Sequence, residues 1–275
     1  MKVVILLFFN IAFLYSGSIY SQALTVPAGA QTRWVIENPE EIVQYITFDP
    51  STVESKLPEA LRYITINELA IDNVGWAINY LDDYPSNGSW GVSFLEIVRM
   101  ETFMIDDKLP DWPRHGAAAL WCARIAPSDP STSLGFGRPL LVMEFWMPDN
   151  AYVSYMKDKG HYASYGDVGL YQDQEKKWRG SIQAKNIKVI MSCNPSGQVF
   201  GGANSSGAQS LFPPLSSPVN HLVKVAFSGH REQECDSTSS WSFQGTHPLA
   251  KGILVGTSRY EYGYSLIGGA YPNRE

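Results

Sequence analysis

Residues 93–100, Ser-Phe-Leu-Glu-Ile-Val-Arg-Met, are the most constraining stretch of this sequence. Successive side chains of a strand point to opposite faces. Phe94, Glu96, Val98 and Met100 therefore share one face, and Leu95 and Ile97 share the other with Arg99. Both faces are mostly apolar, and leaving either in water is costly, so the strand must be covered on both sides. That points to a barrel or a sandwich. It also sends Glu96 into an apolar layer. An ionised carboxylate there is costly unless paired, so its pKa is expected to rise towards neutrality, as a general acid or base requires. The structural use of such a residue is a salt bridge to a neighbouring strand.

The remainder of the chain supports a β-rich fold. Aromatic residues make up 13% of the chain, and flat rings suit a pleated, half-buried surface. Residues 61–71, 75–81, 117–125, 140–147, 222–228, 240–243, 253–257 and 264–267 read as strands, and 178–191 as a hairpin turning near Lys185 and Asn186. Asp49-Pro50 opens a short helix, with Asp as cap and Pro setting φ, which Pro58 ends. Residues 82–88 read as a turn, 127–139 as an exposed loop and 198–218 as a long flexible one. There is no repeat and no strand–helix alternation, which excludes solenoids and a parallel α/β sheet. The expected fold is mainly β, or α+β if its short helices are counted. It is a single curved antiparallel barrel or sandwich of roughly ten strands with long loops.

Lys2 precedes 13 residues, Val3 to Tyr15, that are apolar except for Asn10. Small residues follow at Ser16, Gly17, Ser18 and Ser21. This is the pattern of a secretory signal peptide, too short for the ~20 residues that span a bilayer. Residues 1–21 are expected to be a signal, cleaved between Ser18 and Ala23, and residues 22–275 a single domain. Loss of Lys2 would take the net charge from −6 to −7, which offers no footprint for nucleic acid or an anionic membrane. In an oxidising compartment three cysteines imply one disulfide and one free thiol. Cys193 and Cys235 both stand where strands give way to loops and form the expected pair. Cys122, in an apolar run, reads as a buried small hydrophobe. Asn87 and Asn204 head glycosylation sequons. The scattered cysteines and histidines show no metal-ligand spacing, and no cofactor motif is present.

Residues 149–170 hold four tyrosines with His161, Lys157, Lys159 and Asp167, and read as a polar rim or crossover above a pocket. His161 and Asp167 could cooperate in acid–base work. Lys157 or Lys159 could form an imine only if a dry pocket lowered its pKa. There is no Gly-x-Ser-x-Gly elbow to supply a serine nucleophile.

Several pieces together resemble the acetoacetate decarboxylase family. Residues 49–64 resemble its early helix and the turn that follows. Residues 91–96, GVSFLE, resemble the strand ending in its active-site glutamate, which would be Glu96. Residues 148–170 are similar to the segment carrying its imine-forming lysine, and residues 241–260 resemble its closing strands. The resemblance implies a closed, strongly curved barrel around an apolar cavity, often in a homo-oligomer. At the position of the family's two adjacent lysines, however, this chain has Asp167 and Val168. An aspartate cannot form an imine. The expected protein is therefore secreted and binds a small apolar or carboxylic ligand. Glu96 and His161 are its candidate acid–base groups, and Tyr162, Tyr165 and Asp167 line the pocket. The alternative is an active lyase of decarboxylase, aldolase or dehydratase type, using Glu96 with His161 or a displaced lysine on a keto acid.

Overall fold

The computed structural model describes residues 32–272, except 54–56, 58, 59, 107–115, 133–136, 159 and 213–220. The expected signal peptide lies outside the described residues. The chain runs β1 (Thr32–Glu37), β2 (Glu40–Phe48), β3 (Leu61–Tyr63), α1 (Ile66–Ile71), α2 (Gly75–Asp83), β4 (Gly91–Arg99) and β5 (Thr102–Ile105). It continues through β6 (Ala117–Pro127), β7 (Arg138–Met147), α3 (Asn150–Asp158), β8 (Ala163–Tyr165), β9 (Asp167–Gln172), β10 (Trp178–Ala184) and β11 (Ile187–Cys193). Then follow β12 (Pro195–Gly201), β13 (Ser206–Phe212), β14 (His221–Ser228), β15 (Arg231–Cys235), β16 (Ser240–Gly245), β17 (Ile253–Tyr262) and β18 (Ser265–Pro272).

The long sheet runs in the order β12-β15-β17-β2-β4-β6-β7-β13-β14-β18-β1-β5, with β3 added to β6 and β8 to β7. A second sheet runs β16-β11-β10-β9. Two expectations are corrected here. The sheet is mixed, because β7 pairs in parallel with both β13 and β8. It is also open, because its end strands β12 and β5 do not pair with each other.

Strand β4 is covered on both faces, as its alternation requires. Leu95 and Ile97 pack with Phe48, Trp121 and Trp146 against Val168, Ile182 and Val189 of the small sheet. Phe94 and Met100 face the other way, into a layer with Cys122, Val142, Phe145, Trp34 and Val225, where the long sheet curls over itself. Burying each such side chain contributes about 1.5–3 kcal/mol. The disulfide forms between Cys193 and Cys235, with Cα atoms 5.2 Å apart, and ties β11 of the small sheet to β15 of the long one. Cys122 is a free, buried thiol.

Four local readings change. Residues 66–71 and 75–83 are helical, where strands were expected. The first is started by a capping box: Thr65 accepts from the Glu68 N–H, and the Glu68 carboxylate accepts from the Thr65 N–H at 2.9 Å. Ile66, Leu69, Ala77 and Tyr80 then bury on one side against Val92 and Val255. The helix expected after Asp49 is a single 3-10 turn, Pro50–Thr52, capped by Asp49. Residues 198–218 are not one loop, because β12 and β13 occupy much of the span. Gly207 is small there because a Cβ would lie 2.2 Å from the Phe227 ring. Residues 149–170 form α3, β8 and the start of β9, and α3 buries Tyr152, Val153 and Met156 in the core instead of arching over it.

Candidate functional site

The register of four strands lines up a row of carboxyl groups. Glu232 on β15 is the partner of Glu261 on β17, and Glu261 is the partner of Glu41 on β2. Residues directly opposite each other share a sheet face. On the next strand, Glu96 stands opposite Val43, two residues from Glu41 on that same face. Four carboxyl groups thus form a rank across β15, β17, β2 and β4, on the side of the sheet that carries Phe94.

Protons and two bases share out this charge. Burial pushes the Glu41 carboxyl well above the usual range, and the charge of Glu96 adds to the rise. Glu96 keeps some accessible surface but lies deep among protein atoms. Burial raises it, and a hydrogen bond from Glu41 offsets part of that rise. Burial thus biases both carboxyls of this coupled pair towards the neutral form. Burial also pushes the Tyr264 hydroxyl well above its ordinary value, with the Glu41 charge next, and this hydroxyl donates to Glu41. At the other end of the rank, His230 Nε2 lies 2.5 Å from Glu261 Oε2, and Arg259 lies 3.2 Å from Glu232. Burial opposes charge on His230, but the contact with Glu261 outweighs it and raises the ring's pKa. Burial raises the Cys122 thiol, followed by the charge of Glu96.

The residues expected beside Glu96 are spread over other positions. His161 is buried and packs edge-on against Phe145 at 5.5 Å. Phe145 pairs with Leu120, and Leu120 with Glu96, so the ring that His161 packs on stands two strand spacings, roughly 10 Å, from Glu96 in the same layer. Tyr162 is half-buried, while Tyr165 and Asp167 are exposed. Val168, next to Asp167, points into the layer between the two sheets, which is on the opposite side of β4 from Glu96. One pocket therefore does not gather Glu96 and Asp167, because β4 itself stands between them.

Two further polar arrangements had no sequence signal. Between the sheets, His247 Nε2 lies 3.0 Å from Glu144, and Ser164 donates to the same carboxylate at 2.5 Å. His247 Nδ1 accepts from the Leu249 N–H at 3.2 Å, so Nε2 carries the proton and donates. The carboxylate is the centre of this trio, and His247 does not contact the serine as its base. A slip in register beside Glu144 of β7 lets that residue reach the layer. At the edge of the same layer, Asn38, Pro39, Glu40, Arg99, Glu101, Tyr262 and Gly263 line an open cleft of about 220 Å³. Arg99 is held there by Glu40, with Nε donating at 3.1 Å, and its guanidinium lies 5.0 Å over the Trp178 ring. Of the sequons, Asn204 is exposed, whereas Asn87 is half-buried and its side-chain nitrogen donates to Tyr80 at 3.0 Å.

No protein-family profile and no curated protein matches this sequence. Solved structures share the fold. One is an acetoacetate decarboxylase-like enzyme from Sphingomonas wittichii RW1, with TM-score 0.51 and 12% identity over 89% of this chain and 93% of that one. Another is acetoacetate decarboxylase from Legionella pneumophila, with TM-score 0.53 and 11% identity over 93% and 92%. A third is the enduracididine biosynthesis enzyme MppR complexed with pyruvate, with TM-score 0.52 and 13% identity over 92% of each. The fold is that of acetoacetate decarboxylase-like enzymes, as residues 49–260 suggested.

Proposed function

We propose that this chain is an exported protein of acetoacetate decarboxylase-like fold that binds a small apolar or carboxylic ligand and does not perform imine chemistry. The placement of the lysines carries this reading. Lys157, Lys176, Lys185, Lys188 and Lys251 are exposed, and Lys177 and Lys224 are half-buried. An imine-forming lysine needs a dry pocket to shed its proton near neutrality. Asp167, at the family's lysine position, is exposed on the small sheet. Lys56, Lys108 and Lys159 lie outside the described residues, so the test must include them.

The ligand's carboxylate belongs with Arg99. The Arg99 cleft offers a guanidinium over an aromatic face, shared with the Glu40 carboxylate. Pyruvate, seen in MppR, is the first ligand to try. Borohydride is added to the full mature chain with acetoacetate or pyruvate, and its peptides are weighed. The expected result is no lysine adduct and no release of carbon dioxide, with pyruvate binding by calorimetry weakened at least ten-fold in Arg99→Gln. An adduct on any lysine overturns the imine claim, and pyruvate affinity unchanged in Arg99→Gln overturns the placement. A second reading, an acid–base lyase, is favoured by the adjacent Glu41 and Glu96 carboxyls, both raised by burial. It requires keto-acid turnover that Glu96→Gln abolishes.

A further inference from the structure

We propose a divalent-cation site formed by His230, Glu232 and Glu261. His230 stands in the turn between β14 and β15, Glu232 on β15 and Glu261 on β17. One ligand atom from each lies within 4.8 Å of the other two. Ligands about 2.1 Å from a common ion stand roughly 3–4 Å apart, so small side-chain shifts complete the shell. The backbone register fixes the two carboxylates side by side, because Glu232 and Glu261 are direct partners on adjacent strands. His230 pairs with Glu261 through a ring proton, which a cation displaces on binding.

Imidazole nitrogen with two carboxylates suits zinc or manganese better than calcium, which prefers an all-oxygen shell. The surroundings hold the ligands in place. Arg259 braces Glu232, and the rings of Phe227 and Tyr264 lie 5.5 and 5.7 Å from that of His230. The side chains of His230 and Glu261 are 19% and 18% exposed, which leaves an entry path from solvent.

The test uses the full mature chain, free of any affinity tag and stripped with a chelator, titrated separately with zinc and manganese by calorimetry. One ion per chain is expected, with affinity reduced at least ten-fold in Glu232→Gln, Glu261→Gln and His230→Gln, and unchanged in Glu144→Gln, which alters the separate Glu–His pair. Near-ultraviolet circular dichroism checks that each variant is folded. If one variant does not fold, the other two decide the matter. The proposal is overturned if the wild type binds neither ion at millimolar concentration, if the folded ligand variants bind as well as the wild type, or if calcium binds more tightly than both.

Discussion

Replacing Cys193 and Cys235 together by alanine tests how the two sheets are held. The bond closes a sequence separation of 42 residues. For a loop of that length, the entropy removed from the unfolded chain corresponds to about 4 kcal/mol at 25 °C. Both cysteines are buried in the layer between the sheets, so losing the sulfur atoms also removes packing there. Against a typical stability of about 5–15 kcal/mol, 4 kcal/mol is a large fraction. It corresponds to a fall of roughly 8–16 °C in Tm for a chain of this size. Guanidinium unfolding of the wild type and the double variant, followed by tryptophan fluorescence, measures the loss directly. The slope should also rise, because an unlinked chain exposes more surface on unfolding. A loss below about 1 kcal/mol with unchanged slope would falsify the staple argument and mean that the sheets hold together by packing alone.

Further outcomes follow from the same structure. Burial and Glu96 raise the folded-state pKa of Glu41 above its ordinary 4.5, so the folded protein holds this proton more tightly than the unfolded chain. Its stabilising contribution is full below 4.5 and is lost as pH rises through the raised value, at up to about 1.4 kcal/mol per pH unit. Glu41→Gln, which keeps the neutral form, should flatten that decline in thermal melts between pH 5 and 9, and parallel profiles would refute the assignment. Thr65→Ala removes the capping box of α1 and should cost about 1 kcal/mol in denaturant melts, with no change in overall secondary structure. In a eukaryotic secretory host, Asn204→Gln should remove a glycan's mass from the product. Asn87→Gln should change it little, because the Asn87 amide is already engaged by Tyr80.

Residues 93–100 were readable because period-two alternation is local: each side chain's face follows from its neighbours. The hairpin of β10 and β11 was readable for the same reason, and the disulfide because both cysteines end strands. Helix α1 was hidden by Ile64, Ile66 and Ile71, whose β-branched side chains suggest a strand. The correct signal was Thr65 with Glu68 three residues later. His161 was a sound candidate by residue type, but α3 and Phe145 place it in the core away from Glu96.

By itself the sequence determined that β4 is covered on both faces and that Glu96 enters a layer with apolar neighbours. It could not determine what Glu96 meets there. Glu41, Glu232 and Glu261 lie on three other strands, and their alignment depends on strand register, which is set by the packing of the whole sheet. A shift of one residue in any of those strands would turn its carboxylate to the opposite face and dissolve the rank. The tertiary structure alone decided that Glu96 stands beside Glu41 on one face of the sheet and that β4 separates it from Asp167.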